Sequence, residues 1–162
     1  MQQIVTYGDP VLETKAEPVA IFDEELAAFC QEMFATLKRE RGIGLAAPQV
    51  GVSKRIFVTD ADEDKPRVYI NPEIVMTSPE LVEYEEGCLS FPGLYFMVKR
   101  SSALRIQAFN EKGRPFTLEA DGMLARVILH EYDPLDGKLF VDRITPLRKQ
   151  RALLHYGRLV KM

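Results

Sequence analysis

Leu129 to Gly137 reads Leu-His-Glu-Tyr-Asp-Pro-Leu-Asp-Gly. A His-Glu-x-x-His stretch on a helix sets two imidazoles four residues apart on one face, where they can share a metal. The intervening Glu then reaches the metal-bound water as general base. His130 and Glu131 fill the first two positions, but Pro134 stands at the last. Proline carries no donor atom, so a metal held here is one protein ligand short. Asp133 lies three residues from His130, Asp136 lies past the proline, and His155 belongs to the C-terminal tail. None of them is well placed to fill the gap. Taken alone, a single His on an apolar helix face is a satisfied core residue.

Two other stretches carry residues suited to chemistry. In Gly42-Ile-Gly-Leu-Ala-Ala-Pro-Gln49 the small residues let backbone approach a ligand, and the Gln49 amide can donate to an oxyanion. The stretch lacks the Gly-Lys-Ser/Thr ending of a phosphate loop, and read alone it is a Gly-rich turn after a helix. In Glu85-Glu-Gly-Cys-Leu-Ser90, Cys88 opens a stretch without charge that extends to Val98, so a thiolate there needs a positive partner such as a metal. A lone Cys in apolar surroundings is otherwise a packing residue.

These stretches must be held by a folded scaffold, and 162 residues with 46% hydrophobic side chains suffice for one domain spanning 1–162. Leu26, Phe29, Cys30, Met33, Phe34 and Leu37 recur at helical steps, which predicts a helix over 24–40 capped by Asp23 and stopped by Gly42. Cys30 lies on that stripe as a core thiol. Strands are predicted over 55–59, 68–70, 81–84, 96–100, 103–109 and 115–119, with Asn110 to Gly113 as a hairpin turn. A second helix, over 122–133, carries His130 and Glu131, with Met123 and Val127 on the same side. A third begins at Pro146 and runs to about residue 160. This order implies an α+β fold, with antiparallel strands around a central helix bearing the His-Glu pair.

Two cysteines do not make a disulfide framework and read as reduced thiols. The start of the chain lacks a signal-peptide pattern, and no uncharged run nears the roughly 20 residues of a membrane span. The expected location is the cytoplasm. Net charge is −3, yet Arg143, Arg148, Lys149, Arg151, Arg158 and Lys161 follow one another without an acid. Such a tail on an acidic body suits an anionic surface, nucleic acid included, or is simply a solvated face.

Together the three stretches resemble the motifs of the peptide deformylases, along essentially the whole chain. Gly42-x-Gly44-x-Ala46-Ala47-x-Gln49 is similar to the family's first motif, Glu86-Gly87-Cys88-Leu89-Ser90 to its second and His130-Glu131-x-Asp133 to its third. Tyr7 to Leu12 agrees as well. The resemblance implies a hydrolase that removes the N-formyl group from the N-terminal methionine of newly made proteins. It implies one divalent metal per chain, Fe(II) physiologically and Ni or Zn in purified material, held by a cysteine and two histidines. Carried over, Cys88 and His130 are metal ligands and Glu131 takes the proton of the attacking water. The Leu89 N–H and the Gln49 side chain stabilise the oxyanion, and Gly44 pairs with the substrate backbone. Ile43, Met123 and Val127 are expected to form the methionine pocket. The family's second histidine falls at Pro134, which compromises the metal site. The alternative is an inactive formyl-methionine or ribosome-binding protein. The basic tail resembles a helix with which some deformylases contact the ribosome, and neither DNA nor membrane is an expected partner.

Overall fold

A computed structural model describes residues 2–161. Helix α1 spans Glu24–Arg39, α2 Gly122–Leu135 and α3 Pro146–Leu159. The strands are β1 Gly44–Ala46, β2 Ile56–Thr59, β3 Arg67–Thr77, β4 Leu81–Cys88, β5 Phe91–Ser101, β6 Ala103–Phe109 and β7 Pro115–Asp121. They form a five-stranded antiparallel sheet in the order β1-β2-β3-β6-β7 and a separate ribbon of β4 with β5.

Side-chain alternation assigns the two faces of the larger sheet to different helices. Leu45, Ile56, Val58, Val68 and Ile70 pack on Leu26, Cys30, Met33 and Leu37 of α1. Their neighbours Ala46, Phe57 and Tyr69 point the other way and, with Leu104 and Ile106, cover Ala125, Ile128 and Leu135 of α2. Cys30 is fully buried there, and burial pushes its thiol up to about 12, so it is an inert packing residue. A third cluster joins Phe91, Leu94 and Val98 of β5 to Phe140 and to Tyr156 of α3.

Several boundaries differ from the sequence expectations, each for a local reason. Gly42–Gln49 is not a simple turn: it contains strand β1 and a 3-10 turn, Ala47–Val50. Helix α1 stops one residue earlier than expected, and the left-handed residue at its end is Arg41, with φ 57°, rather than Gly42. The Arg41 N–H donates to Lys38 O and the Gly42 N–H to Leu37 O, which closes the helix. Strand β3 runs well beyond 68–70, because Asn71 and Pro72 form an irregularity in the ladder and not its end. Asn71 has φ 49°, and its side chain exchanges two hydrogen bonds with the Val19 backbone. Strands β4 and β5 are likewise longer than expected. The Asn110 turn forms as read, its Oδ1 accepting from Lys112 N and Arg114 N.

Helix α2 continues through Pro134 to Leu135. A proline in the last turn removes one intrahelical bond, but the end is tied down from outside. Leu135 O accepts from Ala16 N at 2.9 Å and from Arg55 Nη1 at 2.7 Å.

Candidate active site

A cavity of about 640 Å³ lies where the end of β1, the end of β4 and one face of α2 converge. Ile43, Gly44, Cys88, Leu89, Met123, Val127, His130 and Glu131 all line it. Eight of the nine residues singled out from the sequence therefore share one wall. The ninth, Gln49, is buried behind it. Its Oε1 accepts from Ala46 N at 2.9 Å, which turns its amide nitrogen toward Cys88 Sγ at 3.6 Å and Ser90 Oγ at 3.4 Å. Gln49 thus reaches the site from the 3-10 turn after β1.

Cys88 sits at a register shift between Gly87 and Cys88, where β4 turns into β5. His130 lines the same cavity from α2, near enough for the Cys88 side chain to act on its ring. The ring nitrogen Nδ1 of His130 lies 2.7 Å from Glu86 Oε1. Burial alone would lower the His130 pKa, but the bonds to Cys88 and Glu86 raise it well above that of a free imidazole. Glu86 follows the opposite logic. Desolvation raises its carboxyl, yet hydrogen bonds from His130 and Arg100 win and hold it at about 2.

Glu131 is buried, and its Oε1 has no hydrogen-bond partner. Desolvation pushes its carboxyl up to about 7, against the opposing pull of the His130 charge. Gly44 lies against it: a Cβ at that position would come within 2.7 Å of both Glu131 Oε2 and Val127 Cγ1. Only glycine lets β1 run this close to the face of α2 that carries Val127 and Glu131.

Among the described residues, no group of three or more His, Cys, Asp or Glu stands ready to hold a metal ion. Cys88 and His130 supply two donors. Asp133 is taken up by Arg100 and Arg143, Asp136 pairs with Arg55 at 3.1 Å on another surface, and His155 is exposed on α3 and does not line the cavity. Pro134 is buried in the last turn of α2 and offers nothing. The donor set present does not fit a divalent ion held by three protein groups.

The sequence reading gave no role to Arg100 and Arg126, the buried cations behind the site. Arg100 bonds both oxygens of Glu86 and also Asp133, Arg126 bonds Glu86, and Arg143 bonds Asp133. One signal was available. Arg126 is a lone cation one helical turn before His130, in an otherwise apolar stretch of α2.

The fold and this constellation define a hydrolase-like cleft on an α+β scaffold, and comparison with known proteins identifies its kind. Residues 1–150 match the family described as Polypeptide deformylase. A peptide deformylase of Treponema pallidum is 49% identical over 152 residues, covering 94% of this chain and 93% of that protein. One from Cellvibrio japonicus is 47% identical over 150 residues, with 91% and 89% covered. The crystal structure of a peptide deformylase from Legionella pneumophila superposes with a TM-score of 0.92 at 40% identity, covering 99% of this chain and 96% of that one. The chain belongs to the peptide deformylase family.

Proposed function

We propose that this chain binds N-formylmethionyl peptides in the cavity and removes the formyl group only weakly, because position 134 withholds a metal ligand. The observation that carries the reading is the convergence of Cys88, His130, Glu131 and Gln49 on one cleft beside the apolar wall of Ile43, Met123 and Val127. Met123 and Ile43 are partly exposed, as a wall awaiting an apolar side chain is. Gly44 admits a peptide backbone alongside β1. The Gln49 amide and the Leu89 N–H are the donors for the carbonyl oxygen as it gains charge, a role worth on the order of 3 kcal/mol per donor. Glu131, unpartnered and with a carboxyl near 7, can take a proton at neutral pH and return it to the leaving nitrogen.

The family is metal-dependent, and Fe(II), Ni or Zn is the class of ion that Cys88 and His130 suit. The residue at 134 makes the difference, and a paired measurement tests it. Bound metal per chain and formate release from formyl-Met peptides are measured for the chain and for its Pro134→His variant. We expect both to rise together in the variant. Full metal loading and turnover in the unaltered chain would overturn the assignment of Pro134 as the defect. A variant that stays empty and inert would overturn the site itself.

We further infer that α3 meets an anionic surface such as ribosomal RNA. Of the six tail cations, Arg143 pairs with Asp133, Arg148 donates to Met97 O and Lys149 pairs with Asp142. Arg151, Arg158 and Lys161 have no side-chain partner among the described residues and are exposed. Truncating α3 would strip Tyr156 from the third core cluster, so charge reversal is the cleaner test. Replacing these three by Glu is expected to abolish ribosome co-sedimentation, and unchanged co-sedimentation would refute this role.

A further inference from the structure

The β4–β5 ribbon that carries Cys88 shares no ladder hydrogen bonds with the five-stranded sheet. Its distance from α2, which carries His130, is therefore set by side chains. Arg126 makes the most extensive of these links. Its Nη2 donates to Val82 O on β4 at 2.6 Å, and its Nη1 donates to Val98 O on β5 at 2.8 Å and to Glu86 Oε2 at 2.8 Å. Its guanidinium also faces the Tyr84 ring, 5.9 Å from the centroid. One side chain from α2 thus grips a backbone carbonyl on each strand of the ribbon, along with the carboxylate that orients His130.

We propose that Arg126 is a positioning residue that clamps the Cys88-bearing ribbon to the His130-bearing helix, so that thiol and imidazole meet across the cleft. The proposal deepens the reading of Cys88 and His130 as the working pair. Arg126 is only 8% exposed, and its rigid planar fork holds carbonyls on two strands at fixed directions, a spread that the compact ammonium of lysine does not match. Arg100 also binds Glu86, but its own backbone belongs to β5. Among the described residues its hydrogen bond to α2 goes to Asp133, three residues beyond His130. Arg126 holds the other side, one turn before His130.

The test begins with Arg126→Met, which keeps a long apolar stem and removes the guanidinium. In the isotope-labelled chain, the nuclear Overhauser contact between the His130 ring and the Cys88 β-protons should be lost. The contact between the stacked Phe57 and Tyr69 rings, 4.3 Å apart in the sheet core, should persist and report an intact fold. A retained His130–Cys88 contact overturns the proposal. If the Met variant does not fold, Arg126→Lys decides instead: loss of the contact in a folded Lys variant supports the clamp, and its retention overturns it. A second readout separates this idea from the metal reading. In the Pro134→His background, Arg126→Met should weaken zinc binding by roughly 10- to 100-fold, as loss of a group supporting a ligand does, and equal affinity speaks against the clamp. If Pro134→His binds no zinc, the metal reading falls, while the proton contact still decides the role of Arg126.

Discussion

Glu86 and Glu131 are buried carboxylates on the wall of one cavity, and they are supplied with hydrogen bonds in opposite ways. Glu86 Oε1 receives His130 Nδ1 at 2.7 Å and Arg100 Nη2 at 3.0 Å, while Oε2 receives Arg100 Nε at 2.6 Å and Arg126 Nη1 at 2.8 Å. Glu131 Oε1 receives nothing. The first carboxyl is held at about 2 and the second is pushed up to about 7. Burial acts in the same direction on both, so the difference comes from the donors around Glu86 and from the negative neighbours, Glu86 and Asp133, that further raise Glu131. A saturated carboxylate is a fixed anion that orients its neighbours, whereas a starved one is free to exchange a proton with whatever enters the cavity.

Removing the saturated member should have the largest consequence. Glu86→Ala leaves Arg100 and Arg126 buried with one counter-ion lost, a change that typically costs about 3–5 kcal/mol. Urea unfolding of the variant measures it. A loss under about 1 kcal/mol would show that Asp133 alone can compensate the two guanidiniums, and the contrast would collapse.

The pH dependence of stability separates the two groups by sign. Glu86 falls from an ordinary 4.5 to about 2 on folding, so its contribution is present above about 4.5 and is lost as pH drops toward 2. Glu131 rises from 4.5 to about 7, so its contribution is complete below about 4.5 and is lost as pH climbs through 7. Each limb is on the order of 3 kcal/mol by linkage. Unfolding free energy measured from pH 2 to pH 9 should therefore decline at both ends. Glu86→Gln should flatten the acid limb and Glu131→Gln the alkaline one. A profile whose alkaline limb survives Glu131→Gln would assign that limb to another group.

This contrast also marks what the sequence could and could not tell. Eight of the nine residues chosen for their chemistry line the cleft and Gln49 backs it, because motif spacing encodes local geometry: His130 and Glu131 are adjacent on α2, and Cys88 ends β4. The amphipathic stripe of α1 was legible for the same reason, and Cys30 was placed correctly in its core. Strand ends were harder to read. Asn71 and Pro72 suggest a break, yet the ladder resumes beyond them because the Asn71 side chain is anchored to Val19, a partner 52 residues away. Apart from the lone Arg126 in an apolar stretch of α2, the clamp behind the site was invisible for a similar reason. Glu86, Arg100, Arg126, Asp133 and Arg143 come together only after the ribbon folds over α2, and no local pattern announces a long-range ion network.

Glu131→Gln sharpens the comparison at neutral pH. The substitution preserves shape and removes the cost of a buried charge, but it adds an amide whose N–H groups lack acceptors. These effects oppose each other, so stability should change by no more than about 1 kcal/mol near pH 7. Activity should respond far more in the Pro134→His background, with formate release dropping roughly 10²- to 10⁴-fold for loss of the proton carrier. A variant that is strongly destabilised would mean that Glu131 is a structural anion like Glu86.

The smallest effect is expected where an ion pair repeats the geometry of the clamp without its burial. Arg105 donates twice to Glu119 Oε1, at 3.0 and 2.6 Å, across β6 and β7. Its shortest bond matches that of Arg100 to Glu86. Yet the two side chains are 42% and 68% exposed, against 5% and 4% for the buried pair. Water and salt screen the outer pair, and breaking it returns both groups to solvent without leaving a stranded charge. Arg105→Met should therefore cost about 0.2–1 kcal/mol in urea unfolding at low salt, and less as salt is added. A cost approaching that of Glu86→Ala would mean that bond length, rather than desolvation, sets the strength of these pairs. The contrast between the saturated and starved carboxylates would then need a different cause.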